Sequence, residues 1–161
     1  MQSLICRQPG SLIFDQRPDP VPGPGEALLR IARIGICGTD LHAYAGNQPF
    51  FTYPRILGHE LSAKVLEVGA NEQGLQPGDR VVVMPYLSCG KCLACCCGRT
   101  NCCEQLQVLG VHVDGGMQEY LALPTALLLP ANDLPAAHAA LGEPLPIGAH
   151  ALRRAAVEAD A

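Results

Sequence analysis

The apolar residues of this chain come in short bursts. "EALLRIARIGIC" (26–37), "SAKVLEVG" (62–69), "DRVVVMPY" (79–86) and "MQEYLALP" (117–124) are rich in strand formers, and turn residues bound each one. Short runs with few helical stretches before Pro130 predict a mainly β fold, a small barrel or sandwich. "PDPVPGPGE" (18–26) is rich in turn formers and predicts an extended surface connector. Cys6 falls in an N-terminal strand, where a thiol packs as a small hydrophobe.

After Pro130 the pattern turns alanine-rich and two helical windows emerge, about 133–142 and 146–158. Asp133 is placed to cap the first, with Pro135 in its first turn. The second ends without a cap and reads as a connector to something further. No internal repeat or low-complexity segment interrupts the chain.

Composition narrows the function classes. A chain of 161 residues, 48% apolar, accommodates one domain and a short appendage. Its net charge of −4 and scattered basic residues count against a polyanion partner, nucleic acid included. Arg7, Asp15, Arg17 and five prolines interrupt the first 24 residues, against a secretory leader. No apolar run approaches the roughly 18 residues of a membrane span. A cytoplasmic protein without membrane contact is the expectation.

That setting gives meaning to the nine cysteines, seven of them within "CGKCLACCCGRTNCC", Cys89 to Cys103. A reducing compartment disfavours structural disulfides and favours metal binding. Cys89, Cys92 and Cys95 follow C-x-x-C-x-x-C, and Cys103 can close a tetrahedral four-thiolate zinc site. Gly90, Gly98 and Asn101 supply turns, while Lys91 and Arg99 offset charge. Spacing alone leaves the register open, since Cys96, Cys97 or Cys102 could replace a neighbour. A redox-active cluster and inert thiols are the competing readings.

A second constellation lies in "GICGTDLHAY", "GHE" and "GEPLPIG". One thiolate, one imidazole and one carboxylate could hold zinc with its fourth position open. Zinc with Cys37 and one glutamate sums to a neutral, electrophilic centre that can polarise an alcohol oxygen.

These stretches, with "PRILGHE", "QPGDRVVV", "GGMQEY" and "EPLPIGAHA" in the same order, resemble the zinc-dependent medium-chain alcohol and polyol dehydrogenases. The similarity is greatest to the branch with sorbitol, threonine and sugar-acid dehydrogenases. The resemblance implies a GroES-like β-barrel over 1–131, a projecting structural-zinc lobe at 88–104, and a helical connector at 132–161 leading toward a nucleotide-binding domain. It implies two zinc ions per chain and NAD or NADP in the complete enzyme, which would be a homo-oligomer acting on a small alcohol or polyol.

Cys37 and His59 match the family's catalytic zinc ligands. Glu60 matches the adjacent glutamate, and Glu143 the E-P carboxylate, each a candidate third ligand. Asp40 matches the carboxylate that orients the ligand histidine. Thr39 and His42 match the proton relay; Cys89, Cys92, Cys95 and Cys103 match the structural zinc ligands. The implied chemistry is hydride transfer from a secondary alcohol to a nicotinamide, the hydroxyl proton passing through Thr39 toward His42.

Two departures stand out. No G-x-G-x-x-G occurs, so the pyrophosphate-binding fingerprint of a Rossmann domain is absent from these residues, and the chain is expected to be inactive alone. Ala63 stands where the family often has glycine, which would strain a backbone that needed positive φ. His112, His138 and His150 read as structural or surface residues; Tyr44, Phe50 and Phe51 could border a pocket or pack in the core. The alternatives to a dehydrogenase are a non-catalytic zinc-binding GroES-like module and a thiol-rich redox or metal-buffering protein.

Overall fold

A computed structural model of the chain describes residues 1–156. The last residues of the predicted second helix and connector, 157–161, lie outside the described residues. Every paired strand is antiparallel. The main sheet has five strands: β3 (Glu26–Gly35), β5 (Glu60–Val68), β6 (Arg80–Val83), β9 (Tyr120–Pro124) and β10 (Leu128–Pro130). Their spatial order is β10-β6-β5-β3-β9. The edge strands β9 and β10 are joined through a single 3₁₀ turn, Thr125–Leu127.

A second sheet, in the order β2-β1-β4, comprises β1 (Gln2–Gln8), β2 (Ser11–Gln16) and β4 (Arg55–Ile56). A bridge between Ser3 and Gln118 ties it to the region just before β9. The small pair β7 (Tyr86–Leu87) and β8 (Gln107–Val108) frames the cysteine-rich segment.

Alternate residues of the central strands build the core, because successive strand side chains face opposite ways. Ala27 and Leu29 of β3, Leu61, Ala63 and Val65 of β5, and Val81 and Val83 of β6 all meet there, with Leu128 from β10. Burying a leucine of this kind contributes about 1.5–3 kcal/mol. Ala63 sits within this core, paired with Ile31 and Val81. Its backbone is extended; among the described residues the one non-glycine with positive φ is Ala156. The strain expected at Ala63 is therefore absent, and its methyl fills core space.

The predicted strands are present with altered bounds. The run 79–86 splits into β6 and β7 around Met84 and Pro85. The start of 117–124 is diverted: Gly115, Gly116 and Met117 donate their N–H groups to the Ile56, Gly58 and Leu57 carbonyls instead. Residues 18–23 carry no regular structure, as the turn formers suggest.

The helices need more correction. An unexpected helix, α1 (Gly38–Ala45), follows β3 directly. A one-turn helix, α2 (Leu93–Cys96), lies in the cysteine-rich segment. The first C-terminal window shrinks to α3 (Ala136–Ala139) and a 3₁₀ turn, Ala140–Gly142. Pro135, not Asp133, is its N-cap, with no side-chain cap. Proline disfavours helical geometry in the residue before it, so the helix starts only beyond Pro135. The second window is α4 (Pro144–Ala155), with proline at its start where a missing N–H costs nothing. Leu141, Leu145, Ile147 and Leu152 are exposed on and beside it. No described helix is long and apolar enough to cross a membrane.

Candidate metal centres

The cysteine-rich segment folds into a local cup. Cys89 follows β7, Cys92 is the N-cap of α2, Cys95 lies within α2, and Cys103 follows a 3₁₀ turn over Thr100–Cys102. The sulfurs of these four residues all lie within 4.8 Å of one another. Cys96, Cys97 and Cys102 are exposed and stand outside the group. Of the seven clustered thiols, these four are the ones the fold brings together.

Backbone amides point into the cup. Cys89 and Gln105 donate to the Cys103 Sγ at 3.3 Å, and Cys92 donates to the Cys89 Sγ at 3.4 Å. Such donors favour thiolates. The amides of Cys95 and Glu104 hold the Cys92 thiol down to about 6, and those of Lys91 and Cys92 lower Cys89. Burial, then the neighbouring sulfurs, pushes Cys95 up to about 12. The cup therefore favours some thiolates and resists completing the set unaided. A dication supplies the missing compensation, so the donor set suits a closed zinc site.

The second group is assembled from separate elements. Cys37 is the N-cap of α1, just past the end of β3, while Glu60 opens β5 and His59 precedes it. Strands β3 and β5 pair with Gly35 opposite Glu60, which brings the two segments side by side. Donor atoms of Cys37, His59 and Glu60 lie within 4.8 Å of one another. His59 is only 6% exposed, and its Nδ1 is buried without a hydrogen-bond partner. One thiol, one imidazole and one carboxylate fit a metal of zinc's character, with charges that can sum to neutrality.

Asp40, 3% exposed, reaches both segments of this group. Its Oδ2 accepts from the Cys37 N–H at 2.9 Å and its Oδ1 from the Gly58 N–H at 3.1 Å. The His59 Nδ1 stands 3.9 Å from Oδ1, beyond hydrogen-bond range. Asp40 thus clamps the two backbones that carry the donors.

Glu143, 5% exposed, lies outside the three-donor group and accepts a hydrogen bond from the Tyr86 hydroxyl. Burial first, then this bond and the Glu143 charge, pushes the Tyr86 phenol well above its ordinary value, and the nearby Cys37 adds to the effect. Tyr86 is thus bonded to Glu143 and lies within electrostatic reach of Cys37. Sequence reasoning missed it, because a tyrosine after a valine run reads only as a strand former.

Thr39 and His42 lie one turn apart on α1 and so share a face. No hydrogen bond joins them among the described residues; the exposed His42 Nδ1 pairs with the Asn47 Oδ1 at 2.9 Å. This bond holds the ring through Nδ1, and which partner donates depends on the imidazole tautomer. The other histidines are peripheral: the His112 Nδ1 accepts from the Val108 N–H at 3.1 Å, and His138 and His150 are exposed. The Tyr44 hydroxyl donates to the Gly10 carbonyl, Phe50 is exposed, and Phe51 packs beside Cys6, Ala43 and Leu57.

Comparison with known proteins places this geometry. The chain is 54% identical over 157 residues to the L-galactonate-5-dehydrogenase of Escherichia coli (strain K12), covering 98% of this chain and 46% of that protein. It matches the crystal structure of galactitol-1-phosphate dehydrogenase from Escherichia coli with a TM-score of 0.88 at 31% identity, covering 96% of this chain and 45% of that one. A short chain alcohol dehydrogenase from Escherichia coli CFT073, complexed with cofactor NADH, matches with a TM-score of 0.86 at 35% identity, covering 96% of this chain and 45% of that one. The chain thus spans about half the length of the relatives it matches. Residues 23–133 match the alcohol dehydrogenase GroES-like domain, and the chain belongs to that family.

Proposed function

We propose that this chain is the metal-bearing portion of a zinc- and NAD(P)-dependent dehydrogenase that oxidises a secondary alcohol of a polyol, sugar acid or hydroxy amino acid. One observation carries the reading: an open donor set of Cys37, His59 and Glu60 beside a separate closed set of four thiols. The likeness to an L-galactonate-5-dehydrogenase supports a sugar-acid type of substrate. Residues 1–131 form the catalytic domain with its lobe at 88–104, and 132–161 lead toward a nucleotide-binding part. Nine cysteines, with no disulfide among the described residues, suit a reducing cytoplasm.

Cys37, His59 and Glu60 would hold the catalytic zinc, with Glu143 the alternative carboxylate; Cys89, Cys92, Cys95 and Cys103 would hold the structural zinc. When bound, zinc supplies a Lewis acid for the substrate oxygen and the nicotinamide supplies the hydride acceptor. Thr39 accepts the substrate's hydroxyl proton as it gives up its own toward the imidazole of His42 at the solvent edge, where Asn47 holds the ring. Asp40 keeps Cys37 and His59 in register by accepting from the N–H groups of Cys37 and of Gly58, the residue before His59.

Metal content tests the proposal. Mass spectrometry of the purified chain should find two zinc ions, and Cys37→Ser should leave one. A single ion unaffected by that change would refute the reading and leave a non-catalytic zinc-binding module. Disulfides among Cys95, Cys96, Cys97 and Cys102 in reducing buffer would favour a redox protein.

A further inference from the structure

The geometry points to Gly35 as the positioning residue for the second donor group: by carrying no side chain, it opens the space that Glu60's carboxylate occupies beside Cys37 and His59. The inference rests on the reading of those three residues as a metal site.

Gly35 ends β3 directly opposite Glu60, the first residue of β5. Directly paired residues project to the same face of a sheet, with Cβ atoms ordinarily about 4.5–5.5 Å apart. Here a Cβ built on Gly35 would stand 2.9 Å from the Glu60 Cβ, 3.1 Å from its Cδ and 2.1 Å from its Oε2. The glutamate side chain is thus folded across the α-carbon of Gly35. The backbone at Gly35 is outside the left-handed region, so glycine contributes space here and not conformational freedom.

This arrangement couples the donors. Two residues beyond Gly35 the same strand end delivers Cys37, and the partner strand begins with Glu60. One strand pair therefore sets the thiol, and the bare α-carbon within it admits the carboxylate. The severest collision of an added methyl is with the free end of a flexible side chain, and only the Glu60 Cβ must yield with its backbone. Gly35→Ala should consequently swing the carboxylate out of the donor group, with a local shift where β3 and β5 meet to relieve the contact with the Glu60 Cβ.

Zinc occupancy of the purified chain, titrated against a chromophoric chelator, and the visible spectrum of the cobalt(II)-loaded chain test this. The variants are Gly35→Ala, Glu60→Gly and the double variant. Gly35→Ala is expected to weaken the second ion roughly tenfold or more and change its cobalt spectrum, while the four-thiolate site is unmoved. In the Glu60→Gly background the same change should have no further effect. A Gly35→Ala chain that keeps second-ion affinity within about twofold and the same spectrum would overturn the proposal. If Gly35→Ala instead fails to fold, rescue by Glu60→Gly supports the collision and failure of rescue overturns it. A wild-type chain that binds one ion removes the underlying reading and this proposal with it.

Discussion

Asp40→Asn separates a clamp from a charge. The native carboxylate receives two backbone N–H groups, from Cys37 and Gly58, in a site only 3% exposed. Each bond to a charged acceptor contributes about 1.5–3 kcal/mol, against about 0.5–1.5 kcal/mol for a neutral one. Asparagine is nearly the same shape but has a single acceptor oxygen. One N–H keeps a weaker partner, and the other faces the amide NH₂ and is left unsatisfied, a loss of about 1–3 kcal/mol by itself. Against this, the variant no longer buries a charge, which offsets part of the loss. The net expectation is a destabilisation of roughly 2–3 kcal/mol.

Urea unfolding at saturating zinc, wild type against variant, reads that difference directly. For a chain of 161 residues the unfolding entropy is about 0.34 kcal/mol per kelvin, so the midpoint temperature should fall by roughly 6–9 °C. Asp114→Asn is the internal control. Asp114 accepts from Arg17 at 2.7 Å, from Arg55 at 3.4 Å and from the Ile56 N–H at 3.1 Å, but its side chain is 34% exposed. Water can replace its partners, and its loss should cost only about 1 kcal/mol. An Asp40→Asn chain within about 0.5 kcal/mol of wild type would refute the clamp, because buried amides cannot lose a charged acceptor so cheaply.

The remaining expectations concern the metals and the groups around them. Cys103→Ser should remove one zinc and make residues 88–104 sensitive to protease while the barrel stays folded; Cys37→Ser should remove the other zinc and spare the lobe. After zinc removal, brief alkylation at pH 7 with peptide mapping should label Cys92 ahead of Cys95, since their thiols sit at about 6 and about 12. Cys92 is held below its ordinary value of 9.0, so its stabilising contribution is complete above pH 9 and is lost as pH falls through about 6. Circular dichroism of the zinc-free chain should therefore register loosening of the lobe on acidification through that range. Tyr86→Phe should destabilise the chain by about 1–2 kcal/mol in urea by leaving the Glu143 carboxylate without its donor, and should remove a late-ionising phenol from the alkaline absorbance titration.

How far the sequence alone carries the argument depends on where the partners of each residue lie. Strands β3, β5 and β6 are legible because their apolar positions repeat locally, and the second C-terminal helix is legible as a helix, although it starts at Pro144, two residues before the predicted window. Helix α1 escapes notice because its eight residues show no apolar periodicity; its start is fixed by the Asp40 carboxylate reaching back to the Cys37 N–H. Asp133 is a sound capping residue in a place where Pro135 dictates the start of the helix. The Tyr86 and Glu143 pairing joins residues 57 apart, and nothing near either one announces it.

The two donor groups differ in the same respect, and that difference has a physical consequence. The four thiols lie within fifteen residues, and a short helix, a 3₁₀ turn and their own amides aim them. Such a cup needs little from the rest of the chain, so spacing nearly suffices to recognise it. Cys37, His59 and Glu60 converge only because β3 pairs with β5 in one register, Asp40 ties Cys37 to Gly58, and Gly35 leaves space for the carboxylate. A slip of one residue in that register would turn the alternate side chains of β5 away from the core and carry the donors out of reach together. The same apolar alternation that buries Leu29, Leu61 and Val65 therefore also fixes the distance between a thiol and an imidazole. The open centre is built into the main sheet, and the closed one is carried beside it.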